Sequence, residues 1–230
     1  MTFLPLQNIT DSPDQFIADA RAIDLASLLP TGAGDEVSKG YTRQVELSLD
    51  LYASPEATVQ ETAFGGGQTV PIALLKPLSR GSILISTDDP SAPPVIDYQT
   101  FKHPTDLDVA VEALKKNRQF LTSGPMLELG TVEAFPGTNV TGDDAIGASI
   151  RTFASSTWAH PVGTCAMMPR HLGGVVDSQL RVYGVRKLRV VDASMMPIIP
   201  ASHTSSTVYA VAEKAADLIV GKVKRYGGGH

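Results

Sequence analysis

The 230-residue chain carries 24 acidic and 19 basic residues, a formal net charge of −5, and is 43% hydrophobic. This composition is typical of a globular protein and argues against a nucleic-acid or membrane-surface partner, since no long run of Lys and Arg is present. The single cysteine, Cys165, excludes an internal disulfide and a cysteine-based metal site, and no metal is expected. No apolar stretch reaches the roughly 20 residues of a membrane span, and no signal peptide is visible. We therefore expect a soluble, cytoplasmic protein.

The first third of the chain shows two different periodicities. Apolar residues recur at helical spacing between Asp14 and Leu29, which predicts a helix there. Between Gln44 and Tyr52, four apolar residues alternate with polar ones, the signature of a strand with one buried face. The alternating apolar positions are Val45, Leu47, Leu49 and Leu51. A half-exposed antiparallel sheet is the natural setting for such a strand.

Two short apolar runs follow, over residues 69–77 and 81–86, and are predicted to be neighbouring strands. Three prolines within residues 88–94 exclude a helix interior or central strand and predict a loop that leads to Val95–Asp97.

The second half is dominated by helical patterns. Helices are predicted over Pro104–Leu121, Asp143–Phe153 and about Thr207–Val220, with a strand over Leu188–Val191. The fold class is therefore α+β, a mainly antiparallel sheet covered by helices. We expect a substrate-binding domain over residues 1–157, a C-terminal segment over 158–221, and a tail over 222–230 whose Gly-Gly-Gly-His end resembles an affinity-tag remnant.

Two histidines occupy turns suited to chemistry. His160 precedes Pro161, which favours extended backbone at the histidine, and Gly163 permits a tight reversal. His203 stands just before the final predicted helix. Two imidazoles near one another could share acid and base roles near neutral pH. On the residues alone, His160 could equally be a loop histidine bonded to backbone, and His203 a packing or capping residue.

Four sequence blocks resemble the C-terminal signature of the glucose-methanol-choline (GMC) oxidoreductases. They are residues 160–167 (His-Pro-Val-Gly-Thr-Cys-Ala-Met), 174–185, 188–197 and 212–219, and upstream stretches at 77–82, 89–97 and 103–108 are similar to the family's substrate domain. The resemblance covers roughly residues 1–221 and favours the aryl-alcohol-oxidase-like and fungal secondary-metabolite branches. The chain departs from the family pattern at Met168, usually Gly, and at 203–208, usually Asn-Thr-Asn-Ala-Pro-Thr.

The resemblance implies roles for specific residues. In the family, FAD accepts hydride from an alcohol carbon while a histidine removes the hydroxyl proton; the matching base is His160, and His203 completes the pair. Asp192 and Ala193, on a strand edge, and Thr204 would face FAD if it is bound, and the C-terminal strand and helix would pack on the FAD domain. An apolar substrate is expected to contact Trp158, Met167, Met195 and Met196, although methionine clusters are more often core filling.

The family's Gly-x-Gly-x-x-Gly segment, which binds the FAD pyrophosphate, has no counterpart here. The cluster Gly65-Gly66-Gly67 has no helix after it and is predicted to be a flexible loop. No cofactor is therefore expected in this chain, and FAD only in a complete GMC enzyme.

Three interpretations stay open. The chain could catalyse a flavin-independent acid-base step, such as cyclisation, isomerisation or elimination, on a hydrophobic secondary metabolite. It could be part of an FAD-dependent alcohol oxidase, or a non-catalytic binding domain. A homodimer through the surface that an FAD-binding half would cover is also expected.

Overall fold

The computed structural model describes residues 1–64 and 70–221, which form two compact units. The first unit contains residues 1–32 and 45–158, and the second contains residues 33–44 and the chain from 159 onward. The predicted Gly65-Gly66-Gly67 loop and the 222–230 tail lie outside the described residues.

The first unit is built on two antiparallel sheets. Strands β1 (Thr2–Leu4), β2 (Gln60–Thr62) and β3 (Ile72–Leu74) form one sheet in the order β1-β2-β3. Strands β4 (Ser82–Leu84) and β5 (Val95–Asp97) form a second sheet of two strands. The predicted α+β class, with antiparallel sheets and covering helices, is confirmed.

Six α-helices occur within the described residues. They are α1 (Pro13–Arg21), α2 (Asp35–Ala53), α3 (Pro104–Leu121), α4 (Gly124–Glu128), α5 (Asp143–Phe153) and α6 (Thr204–Ile219). Short 3-10 turns lie at Leu6–Asn8, Leu25–Leu28, Arg170–Leu172 and Ala193–Met195. Over residues 1–64 and 70–221, no helix is both long and apolar enough to cross a membrane.

Helix α3 organises the first unit, since α1, α4, α5, β2 and β3 all contact it. Its bounds and those of α5 agree with the sequence prediction. Gly147 of α5 allows a close approach to α3, because a Cβ there would lie 3.3 Å from a Leu107 methyl. Arg118 of α3 donates from Nε and Nη2 to the two carboxylate oxygens of Glu133, each at 2.7 Å, and so holds the segment that follows α4.

The predicted strand over residues 44–52 is wrong, because these residues form the second half of α2. The buried residues of this region recur at helical spacing, whereas Leu47 is 37% exposed; they are Tyr41, Gln44, Val45, Ser48, Leu49 and Tyr52. The burial thus follows a helical period. Acidic residues in the first turn, Asp35 and Glu36, support a helix that begins well before the alternating window.

Two other predictions for this unit need correction. The predicted 14–29 helix ends at Arg21, and a separate 3-10 turn starts after Asp24, whose carboxylate accepts from Ala26 N–H. The runs at 69–77 and 81–86 are not sheet neighbours, since β3 pairs with β2 and β4 pairs with β5.

A buried carboxylate fixes the chain between β3 and β4. Asp106, 2% exposed, accepts hydrogen bonds from Leu78 N–H at 2.7 Å and Ser79 N–H at 2.8 Å. Ser79 Oγ in turn accepts from His103 N–H at 2.9 Å. These bonds tie residues 78–79 to the first turn of α3, so the segment cannot form the tight turn of a β3–β4 hairpin.

His103 and Asp106 titrate abnormally because both are buried. Burial lowers the pKa of the His103 imidazole to about 4 and raises the pKa of the Asp106 carboxyl to about 6, although the bonds from Leu78 and Ser79 oppose that rise. His103 is 0% exposed, and among the described residues neither of its ring nitrogens has a hydrogen-bond partner.

The variant His103→Phe should lose less stability in acid than the wild type. In the folded protein the pKa of His103 is depressed, so the neutral ring is compatible with the fold and protonation is not. The free energy of unfolding is therefore unaffected above about pH 6.5 and falls by about 3 kcal/mol as the pH falls towards 4. Asp106 has the opposite sign, since its raised pKa favours the fold as the pH falls, but it is common to both proteins. Urea unfolding at several pH values measures the difference, and identical pH profiles would contradict the assignment.

Candidate active site

The second unit has its own hydrophobic core. Its buried members are Val176, Leu180, Met195, Met196 and Ala215. Helix α6 packs on this core through Val208 and Val211, and the segment after His160 packs through Val162 and Met167. The core therefore supports both chain segments that carry the candidate histidines.

His160 lies in an irregular segment fixed by backbone hydrogen bonds. Cys165 N–H donates to Ser194 O at 2.9 Å, and Met167 N–H donates to Met195 O at 2.8 Å. Gly163 has a φ of +87°, which favours glycine, and so allows the reversal that the sequence predicted after Pro161.

His203 is the residue immediately before α6 and has extended backbone, with φ −58° and ψ 131°. The helix begins at Thr204, three residues before the predicted start. Upstream, Gln44 in α2 donates from Nε2 to Pro197 O. That bond anchors the start of the segment that leads to His203.

The structure brings the two predicted histidines into direct contact. His160 Nε2 and His203 Nδ1 are 3.1 Å apart, a hydrogen-bond distance, and the rings are nearly perpendicular, at 85°. Each imidazole is partly buried. Of the two facing nitrogens, one carries the proton and the other accepts it, and the tautomers decide which.

This arrangement allows proton exchange within a fixed pair. A neutral imidazole offers one donor and one acceptor nitrogen, so a proton taken up by either ring can be stabilised by the other. The geometry is thus suited to general acid-base catalysis, which requires reacting groups within about 3 Å.

The predicted substrate-contacting residues are placed differently. Met195 and Met196 are 6% and 5% exposed and belong to the core of the second unit, and Met167 packs against that core. Trp158 is 49% exposed and belongs to the first unit. The methionines therefore serve as core residues in this structure, and a substrate contact by any of the four stays a prediction.

The C-terminal segment also differs from its predicted secondary structure. Within the described part of the second unit, Leu188–Val191 forms no strand; Arg189 makes one isolated antiparallel bridge with Arg181. Asp192 and Ala193 accordingly lie at the start of a 3-10 turn, Ala193–Met195, rather than on a strand edge. Asp192 begins this turn, and its carboxylate accepts from Ser194 N–H at 2.8 Å.

Several positioning residues were missed from the sequence. Gly40 of α2 lies against the 170–172 turn, where a Cβ would come within 2.0 Å of Leu172 O. Gly174 lies against Met168, where a Cβ would be 1.9 Å from its carbonyl oxygen. The helical period of α2 could have indicated the roles of Gly40 and Gln44, but the alternation of apolar and polar residues over 45–51 favoured a strand instead.

The residues that resemblance assigns to FAD fit it in part. Asp192 is exposed and Thr204 is 6% exposed at the first position of α6, whose N-terminus has no side-chain cap. Uncapped backbone N–H groups at a helix start suit an electron-rich acceptor. The described residues contain no glycine-rich strand-turn-helix for a pyrophosphate, and no group of three His, Cys, Asp or Glu side chains that could hold a metal ion.

This combination of an α+β domain and a histidine pair agrees with one family. Residues 77–212, more than half of the chain, match the family model described as GMC oxidoreductase, so the chain belongs to the GMC oxidoreductase family.

Individual relatives support the same assignment. Dehydrogenase pkfF of Emericella nidulans is 42% identical over 177 residues, which cover 75% of this chain and 29% of that protein. Among solved structures, an FAD-dependent oxidoreductase from Chaetomium thermophilum is 39% identical with a TM-score of 0.90, and a fungal aryl-alcohol oxidase is 37% identical with a TM-score of 0.90. Each of these two matches covers 96% of this chain and 38% of the solved chain. The chain thus spans about a third of the length of its relatives.

The variant Gly174→Ala should destabilise the second unit more than Gly184→Ala. A Cβ at Gly174 would meet Met168 O at 1.9 Å, so the backbone carrying the segment after His160 must move. At Gly184 no atom of the described residues would lie within 4 Å of an added Cβ, so the cost is confined to its φ of +78°, about 1–2 kcal/mol. Thermal unfolding and the histidine NMR signals report both effects. Equal melting temperatures for the two variants would show that the close approach is not required.

Proposed function

We propose that His160 and His203 act as one acid-base pair on the hydroxyl group of a small, hydrophobic alcohol, and that this chain supplies the proton-transfer part of an alcohol-oxidising GMC enzyme. The observation that carries the proposal is the 3.1 Å contact between His160 Nε2 and His203 Nδ1. His160 is the base, as the family resemblance implies.

The proton path follows from the pair. The substrate hydroxyl donates its proton to the neutral His160–His203 pair, while a hydride leaves the alcohol carbon and the carbon–oxygen bond becomes a carbonyl. His203 orients the His160 ring and stabilises the positive charge that the ring acquires, because its Nδ1 lies within hydrogen-bond distance. FAD, when bound, supplies the acceptor for the hydride that leaves the alcohol carbon. Thr204 and the start of α6 are the residues proposed to face it.

The substrate class is supported by the names of the relatives. One solved relative is described as an aryl-alcohol oxidase, and another as an FAD-dependent oxidoreductase. The curated relative pkfF is named a dehydrogenase. A primary aromatic or other hydrophobic alcohol is accordingly the first substrate to test.

A second candidate is a non-oxidative step, such as isomerisation, cyclisation or elimination of a hydrophobic metabolite. One observation favours it: both histidines belong to the same unit and contact each other directly. Such a pair could remove a proton at one substrate position and return one at another, with no electron acceptor.

The two candidates predict different products. Oxidation requires FAD and yields a carbonyl compound lighter by two hydrogen atoms, whereas isomerisation leaves the mass unchanged and elimination removes water. The purified chain should therefore be incubated with aryl alcohols with and without FAD. Mass spectrometry identifies the product, and the visible spectrum under anaerobic conditions reports flavin reduction.

Replacing either histidine should lower turnover strongly. We expect His160→Ala and His203→Ala each to reduce the rate by about 10²-fold or more, a typical contribution of a positioned acid-base group. The double variant should lose much less than the product of the two single losses, because residues that act as a unit are not additive. The rates are measured on whichever reaction the mass analysis identifies.

His171→Ala is the matched control, since His171 is exposed in the same unit and lies outside the pair. It should keep wild-type turnover, and circular dichroism should show all variants folded. Wild-type turnover in both single variants would contradict the proposal and favour the non-catalytic binding domain. If turnover falls in His160→Ala but not in His203→Ala, His160 acts as the base without His203.

A further inference from the structure

The β4–β5 hairpin of the first unit exposes an unusual amount of apolar surface. Leu84 and Ile85 are 63% and 77% exposed, and Val95 and Ile96 are 59% and 51% exposed. In the part of the chain that the structure describes, these two strands pair only with each other, so each has one edge that no strand covers. Exposed apolar edge strands are prone to pair with another chain.

The sequence around β4 is nearly palindromic. Residues 80–88 read Arg-Gly-Ser-Ile-Leu-Ile-Ser-Thr-Asp. About Leu84 as centre, isoleucine stands on both sides, then serine on both sides. The pattern ends with Arg80 at one end and Asp88 at the other.

A palindromic segment in extended conformation is self-complementary in antiparallel pairing. Because β4 itself covers Ser82–Leu84, the pairing would extend this strand from Ile85 towards Asp88. If two copies meet about a two-fold axis at Leu84, residue i of one copy lies opposite residue 168 − i of the other. Ile83 then faces Ile85 of the second copy. Arg80 comes opposite Asp88 at both ends of the pair. Apolar and opposite-charge cross-strand pairs each stabilise a sheet, whereas like charges opposite each other destabilise it.

We propose that β4 pairs antiparallel with β4 of a second copy of this chain, centred on Leu84, and that the two hairpins form one four-stranded sheet β5-β4-β4-β5. This two-fold arrangement is closed, because each copy uses the same surface. The interface is one strand wide, so the dimer is expected to be weak and concentration-dependent.

The other edge of the hairpin does not offer the same match. Pairing β5 with a second β5 about Ile96 would place Val95 opposite Asp97. It would also place Pro94, which has no N–H to donate, opposite Tyr98. The proposal therefore commits to the β4 edge.

Sedimentation velocity over a concentration series tests the dimer on the full 230-residue chain. Leu84→Lys puts two ammonium groups face to face at the axis and should raise the dimer dissociation constant about tenfold or more. Val132→Lys is the matched control, since Val132 is 86% exposed in the same unit and lies outside the hairpin. A wild-type chain that stays monomeric throughout, or equal effects of the two variants, would overturn the proposal.

Charge exchange tests the ends of the pair. Arg80→Asp alone and Asp88→Arg alone each create like charges in both end pairs and should weaken the dimer. The double variant restores opposite charges by symmetry and should recover most of the wild-type affinity. Folding is checked by circular dichroism, and a double variant no better than the singles would contradict the register.

Cross-linking tests the register directly, in a Cys165→Ser background. Leu84→Cys should form a disulfide-linked dimer on mild oxidation. A mixture of Ile83→Cys and Ile85→Cys chains should link to each other faster than either variant links to itself. Equal linking in all combinations would show unspecific association, and a ladder of larger species would show open pairing through other edges; either result overturns the proposal.

Discussion

The candidate site in the second unit depends on one contact, the hydrogen bond between the His160 and His203 rings. Neither histidine lies within a regular element, so each ring must be fixed by what precedes and follows it. The segment after His160 is fixed by hydrogen bonds to Ser194 and Met195, and the helix after His203 packs on the core that includes Met195. A shared core thus holds both rings at one distance, which a chemical role as a pair requires.

Burial of polar groups organises the first unit in a different way. There the Asp106 carboxylate satisfies two backbone amides, and its desolvation is partly compensated by those bonds. The result is a structural use of a titratable group, whereas the histidines of the second unit keep partial exposure. The abnormal pKa values of His103 and Asp106 therefore mark the anchor of α3, and a perturbed pKa alone does not locate a functional site.

The elements with strong local sequence signals were predicted correctly. Pro104 and the Ser123-Gly124-Pro125 stop gave α3 its bounds, and the motif around His160 identified the family. Helix α2 was predicted wrongly, because seven alternating residues within it matched a strand pattern. Strand β2 was not predicted, because its three residues, Gln60–Thr62, are polar yet buried. Long-range contacts, such as the hydrogen bond from Gln44 to Pro197, cannot be predicted from local periodicity. The proximity of the two histidines came from family resemblance, since 43 positions separate them in the chain.

The most direct test of the central claim is NMR of the chain with ¹⁵N-labelled histidine. A hydrogen bond between two ring nitrogens transmits a scalar coupling, so the account predicts a coupling between His160 Nε2 and His203 Nδ1. The signal should vanish in His203→Ala and persist in His171→Ala. Two imidazoles that show no mutual coupling, and whose tautomers do not respond to replacement of the other ring, would contradict the claim that they form one acid-base unit.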